Sequence, residues 1–125
     1  MLRTLKGVVL GLIAQGAGHL VLTLVFQVHI YPPNAWHLLP FVLGGLVCGA
    51  YARSGRPGFF VALPYAALIM LADVMVGPRL SAWAVLITAL GIAIGVVACG
   101  LTARRKRTPA PMPPAPAPPP APPST

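Results

Sequence analysis

Four apolar stretches, each about long enough to cross a lipid bilayer, dominate this chain of 125 residues. They cover about residues 7–28, 36–52, 58–76 and 81–103. A helix needs about 20 apolar residues to cross the hydrocarbon core, with a range of about 17–25. Only helices and closed barrels satisfy the backbone in lipid, and these runs are too long and too uniformly apolar for barrel strands. The sequence therefore predicts an all-α membrane protein with four transmembrane helices.

The composition supports lipid as the solvent for most of the chain. Apolar residues make up 57% of it and charged residues only 8%, whereas soluble domains average about 25% charged residues. The first stretch is also longer than the apolar core of a signal peptide, which spans about 7–15 residues. We expect that stretch to be retained as the first span.

The connections between the stretches are short and contain Pro or Gly, so the predicted architecture is an up-down antiparallel four-helix bundle. This transmembrane domain covers residues 1–107. Residues 108–125 hold ten of the 16 prolines, and such a composition cannot form a core. They are predicted to be a disordered, extended tail.

The basic residues set the predicted orientation. Eight of the nine Lys and Arg fall at one side of the predicted bundle, and Arg79 alone falls at the other. The positive-inside rule then places both termini in the cytoplasm. We expect a multi-pass protein of the cell (inner) membrane. Four of the cations form one run, namely Arg104, Arg105, Lys106 and Arg107. We expect this run to bind anionic lipid headgroups, at about 1 kcal/mol per cation, and not nucleic acid.

Small residues recur every four positions in three of the four predicted helices. Helices in lipid associate through close packing because the hydrophobic effect between them is weak. The spacing therefore predicts helix packing, within the chain or with a second copy, at these glycines: Gly7, Gly11, Gly45, Gly49, Gly91 and Gly95.

Three polar residues within the predicted spans are candidates for a functional site. Gln15 and His19 lie one turn apart in the first span, and they serve either as hydrogen-bonding groups between helices or as a proton or ion site. Asp73 is the only acid in the chain and lies near the outer end of the third span. One interpretation is structural: Asp73 forms an ion pair or a helix-end contact, and Arg79, His29 and His37 are in reach. The other is functional: Asp73 forms part of a gate, a cation or proton site, or a metal site with the two histidines. We predict no cofactor.

The run from Leu43 to Phe60 resembles a pattern in small bacterial four-span proteins of unknown function. In that pattern, a Gly-Gly-x3-Gly span ends in a basic turn and a further glycine opens the next span. The matching positions are Gly44, Gly45, Gly49, Arg53, Arg56 and Gly58. The resemblance implies the four-span fold and the membrane location, and it implies no activity.

No enzyme motif is present, and a single carboxylate excludes paired-carboxylate chemistry within one chain. The sequence therefore predicts a non-enzymatic membrane protein that acts through helix packing or a membrane-protein partner. The alternative is an oligomeric transporter or channel lined by Gln15, His19 and Asp73. Small multidrug-resistance transporters share the length and the four spans, but they require a Glu in the first span, where this chain has Gln15.

Overall fold

The computed structural model describes residues 1–77, 79–106 and 111–124, and all regular secondary structure within them is helical. The four α-helices are α1 (Leu2–Phe26), α2 (Leu38–Gly49), α3 (Arg56–Val76) and α4 (Ala82–Arg105), and a 3-10 turn at Ala35–His37 precedes α2. Residues 111–124 form no helix or strand and are exposed. The predictions for Arg107, for residues 108–110 and for residue 125 lie outside the described residues.

Among the described residues, α1, α3 and α4 are long and apolar enough to cross a membrane. Their length and composition indicate a membrane protein. The observed bounds of α1 lie earlier in the chain than predicted, because the helix begins at Leu2 and ends at Phe26. α3 runs without interruption through Pro64.

The second predicted span, at 36–52, is shorter in the structure. With the 3-10 turn, the helical segment covers only Ala35–Gly49, because the chain turns sharply after Gly49. The amides of Tyr51 and Ala52 both donate to the carbonyl of Cys48 at 3.0 Å. The thiol of Cys99, on α4, then donates to the Ser54 carbonyl at 3.4 Å. These bonds hold the turn beside Cys99, well before α4 ends at Arg105.

α2 is the central helix of the bundle, and it packs extensively against both α1 and α4. It contacts α3, its neighbour in sequence, much less, while α3 packs mainly against α4. This arrangement differs from the simplest up-down bundle, in which each helix packs chiefly against the next one along the chain. α2 runs antiparallel to α1 and parallel to α4, because Phe41, Gly45 and Gly49 face Gly91, Gly95 and Cys99 in the same order.

Glycines permit this central position of α2. A Cβ atom added to Gly45 would collide with the carbonyl oxygen of Gly95, and one added to Gly49 would lie 2.8 Å from the Cβ of Thr102. On the other side of α2, a Cβ on Gly11 would lie 2.8 Å from the Gly44 carbonyl oxygen. Because real Cβ contacts are longer than this, only glycine allows the backbones to approach so closely.

Two groups of buried side chains fill the space between the helices. Phe41, Tyr65 and Ile69 belong to the first, with the Phe41 and Tyr65 rings edge to face at 5.1 Å. Cys48 and Cys99 belong to the second, and both are free thiols with no exposed surface. These side chains stabilise the bundle through dense van der Waals contact, the main force available in lipid.

Candidate functional site

A cluster of polar side chains lies between α1, α3 and the 3-10 turn that precedes α2. His19, on α1, reaches Tyr65, on α3, with its Nδ1 atom 2.8 Å from the Tyr65 hydroxyl oxygen. The His19 ring also stacks beside that of His37, with ring centroids 6.3 Å apart. Tyr65 is 5% exposed, so this hydrogen bond joins two spans in a largely buried environment. A buried phenol usually has such a partner.

His37 is held firmly at one edge of this cluster. Its side chain has no exposed surface, and its Nδ1 atom accepts the amide hydrogen of Asn34 at 3.0 Å. Nε2 then carries the ring proton and donates to the His29 carbonyl at 2.9 Å. Both ring nitrogens are therefore satisfied in the neutral form. His37 fixes the connection between α1 and α2, with Asn34 capping the 3-10 turn through the Trp36 amide at 3.0 Å.

Gln15 lies one helical turn from His19 and is only 3% exposed. Within the part of the chain that the structure describes, its amide nitrogen Nε2 has no hydrogen-bond partner. An unpaired buried donor costs about 1–3 kcal/mol. Thr23, one turn beyond His19, donates locally to the carbonyls of His19 and Val28, at 3.0 and 3.1 Å. Of the three side chains, only His19 is bonded to another helix.

Asp73 does not belong to this cluster. Its carboxylate accepts the Ser81 amide hydrogen at 2.7 Å and the Ser81 hydroxyl at 3.1 Å. The expectation that Arg79, His29 or His37 would partner it is not met, since none of them has an ion pair or hydrogen bond with Asp73 in the described ranges. The same ranges hold no group of three metal-ligating side chains. Asp73 instead joins the end of α3 to the start of α4, a helix-end contact.

The six predicted packing glycines lie at helix contacts of different closeness. A Cβ on Gly7 would lie 2.9 Å from the Cys48 carbonyl oxygen, and one on Gly91 would collide with the ring of Phe41. Gly95 differs, because its added Cβ would meet the Phe41 carbonyl oxygen at 3.4 Å, an ordinary contact. Gly95 therefore contributes its backbone carbonyl to the interface more than its missing side chain.

At the opposite end of the bundle, the predicted headgroup residues Arg104 and Arg105 occupy the last turn of α4 and are exposed. Lys106 follows them and donates a hydrogen bond to the Ala50 carbonyl at the end of α2. Basic side chains favour this position because the last carbonyls of a helix carry partial negative charge.

Comparisons with family models, with curated proteins and with solved structures found no match to this chain. The resemblance to small bacterial four-span proteins therefore stays a prediction, and the function is inferred from the geometry of the chain itself.

Sequence reasoning missed Tyr65, Ser81 and Asn34 as partners of the polar residues. Ser81 could have been found, because a serine directly before an apolar run is the usual N-cap of a helix, and its hydroxyl accepts the Ala84 amide hydrogen at 3.1 Å. Tyr65 carries no such local signal. Its pairing with His19, 46 residues away in sequence, depends on how α1 and α3 pack.

Proposed function

We propose that this chain is a non-enzymatic accessory protein of the cell membrane that acts by binding a membrane-protein partner. It crosses the bilayer four times, with both termini in the cytoplasm. Two features of the fold support this topology. α1 and α3 run in the same direction, so α2 has to return the chain between them. The first turn of α1 and the last turn of α4 line one common recess.

The observation that carries the proposal is that the glycine-containing faces of α1 and α2 pack against other helices of the same chain. At Gly7, Gly11, Gly45 and Gly49, a single added methyl group would collide with another helix of the same chain. Those surfaces are occupied within the chain and do not serve a second copy. A partner would therefore contact the outward surface. α1 is the best candidate, since only 22% of the residues in its most apolar stretch are buried, against 33% for the corresponding stretches of α3 and α4.

A photo-crosslinking experiment in native membranes tests the proposal. A photoreactive amino acid is placed at Ile13 on α1, and a control is placed at Val97 on α4, a position of similar exposure. We expect irradiation in native membranes to give an adduct of one defined mass from position 13 and none from position 97. Native mass spectrometry should find the same partner in a fixed ratio to the chain. A chain that carries only lipid at both positions would contradict the proposal.

A second candidate function, a proton or small-solute transporter, rests on the unpaired Gln15 amide beside the His19–Tyr65 pair. Buried polar groups inside a span often mark a transport pathway. If the chain transports protons, His19→Ala and Tyr65→Phe should abolish flux into proteoliposomes loaded with a pH-sensitive dye. Tyr31→Phe, in the outer connection, is the matched control and should keep full flux. The absence of flux in the unmodified chain would remove this candidate.

A further inference from the structure

The basic end of the bundle contains a recess that follows from the shortness of α2. α1 begins well before Gly7, the residue that meets the end of α2, and α4 continues well beyond Cys99. Helices rise about 1.5 Å per residue, so α1 from Gly7 back to Leu2 extends about 7 Å beyond the end of α2, and α4 from Thr102, which also meets Gly49, to Arg105 extends about 4 Å beyond it. The first turn of α1 and residues Ala103 and Lys106 form the walls, and residues 50–53 form the floor. The cavity measures about 910 Å³.

Cations from three separate parts of the chain converge on this recess. Arg3 from α1, Arg53 from the turn and Lys106 from the end of α4 all line it. The ammonium group of Lys106 lies 5.8 Å from the centroid of the Tyr51 ring, and that of Lys6 lies 5.6 Å from the same centroid. Two lysines therefore share one aromatic ring on the floor of the recess, an arrangement favoured by cation–π attraction.

No side-chain carboxylate of the protein balances these charges. Asp73 is the only acidic residue in the sequence, and it lies near the far end of α3, bonded to Ser81. Like charges repel one another, and an anion that lies among them offsets this repulsion through its attraction to each cation. The first turn of α1 lines the recess and has no side-chain cap, and the start of a helix carries partial positive charge that favours a negative group nearby.

We infer that this recess binds the phosphate group of an anionic phospholipid. A phosphate accepts hydrogen bonds from several cations and amides at once, and basic pockets at the cytoplasmic ends of membrane helices suit such headgroups. The cavity volume lies in the range of small-molecule sites, about 300–1,000 Å³. Leu2, on the α1 wall of the recess, is exposed, and its apolar side chain provides a surface for the acyl chains of the same lipid.

This site differs from the basic run at the end of α4. Arg104 and Arg105 lie outside the recess, so among the described residues of that run only Lys106 lines it. The inference rests on the proposed membrane location and on no property of the accessory partner. It concerns the purified chain alone, so its test is independent of the test of the partner.

The experiment is a titration of the purified full-length chain in detergent with phosphatidylglycerol, in which native mass spectrometry counts the bound lipids. The test variant is Arg3→Gln with Arg53→Gln. The matched control is Arg56→Gln with Arg79→Gln, which removes the same charge outside the recess and outside the basic run at the end of α4. Lys106 is left unchanged because it also bonds to the end of α2. Circular dichroism verifies that both variants keep their helix content.

We expect the affinity for the first phosphatidylglycerol to fall about fivefold per cation removed from the recess, and so ~30-fold in the test variant. The control should change by about twofold at most, because its charges lie away from the recess and reach the lipid only through screened, long-range attraction. Equal weakening in both variants would overturn the inference, since binding would then depend on net charge alone. Displacement of the lipid by an equal concentration of inorganic phosphate would also overturn it, because the ligand would then be a soluble anion.

Discussion

Replacement of Gly45 by alanine tests the central packing of the bundle. Gly45 lies where α2 runs parallel to α4, and the new Cβ would collide with the carbonyl oxygen of Gly95 and lie 3.1 Å from the Cβ of Ala98. The first obstacle is a backbone atom, which cannot rotate away as a side chain can. The two helices would have to separate along their shared face, and the contacts at Gly49 and Phe41 would loosen with them.

The expected cost follows from two opposing effects. An extra methyl group in a well-packed interior destabilises by about 1–3 kcal/mol, whereas Gly→Ala inside a helix stabilises by about 0.5–1 kcal/mol. The net loss for Gly45→Ala then falls between about 0 and 2.5 kcal/mol of the free energy of unfolding, and we expect it in the upper half of that range because the obstacle is a backbone atom. Two controls isolate the first effect. Gly16→Ala meets nothing within 4 Å, and Gly95→Ala makes only ordinary contacts from 3.4 Å outward, so both should be neutral or slightly stabilising.

The assay is reversible unfolding in mixed micelles of increasing SDS content, followed by circular dichroism, with stability extrapolated linearly to zero denaturant. The stability order should be Gly16→Ala and Gly95→Ala at or above the unmodified chain, and Gly45→Ala clearly below it. If Gly45→Ala is as stable as the two controls, α2 and α4 do not pack through this glycine, and the central position of α2 is wrong.

Three further predictions use the same unfolding assay or a spectroscopic one. Ser81→Ala removes the N-cap of α4 and one bond to Asp73, and should cost about 1–2 kcal/mol, whereas Ser81→Thr should keep most of that stability. Gly91→Ala should be destabilising because the new Cβ would collide with the Phe41 ring. Adding Phe41→Leu should recover part of the loss, with a coupling energy of about 0.5–3 kcal/mol in a double-mutant cycle. Additive effects of the two substitutions would contradict the contact. Tyr65→Phe removes the hydrogen bond to His19 and should shift the imidazole nitrogen signals of His19 in NMR spectra, while Tyr31→Phe should leave them unchanged.

The long helices could be predicted from the sequence because their signal is local. Hydropathy over about 20 residues identifies α1, α3 and α4, and their lengths match what a bilayer requires. The early end of α2 could not be predicted, because the turn after it packs against a helix that is distant in sequence. The apolar run continues through Ala52, yet the thiol of Cys99 holds the Ser54 carbonyl and the chain turns inside the end of α4.

The polar residues show the same limit. His19 and Asp73 stood out because a polar group in an apolar run is conspicuous, but the identity of their partners depends on the order of the helices. Charge suggested Arg79 for Asp73, whereas the observed partner is the neutral Ser81, which is set beside it by the turn between α3 and α4. The proposed lipid-binding recess could not be predicted from the sequence either, since its cations Arg3, Arg53 and Lys106 come from three distant segments.

The dependence of α2 on α4 also constrains how the chain is made. Ribosomes deliver the helices in order, and in the proposed four-span topology α2 enters the membrane with 15 helical residues, fewer than a bilayer normally requires. Its Gly45 and Gly49 surface stays uncovered until α4 has been synthesised, more than 30 residues later. α2 can pack against α1 at once, but its other face is completed only by the last helix of the bundle. Nascent chains stopped after α3 should therefore be the form that membrane quality-control proteases remove first.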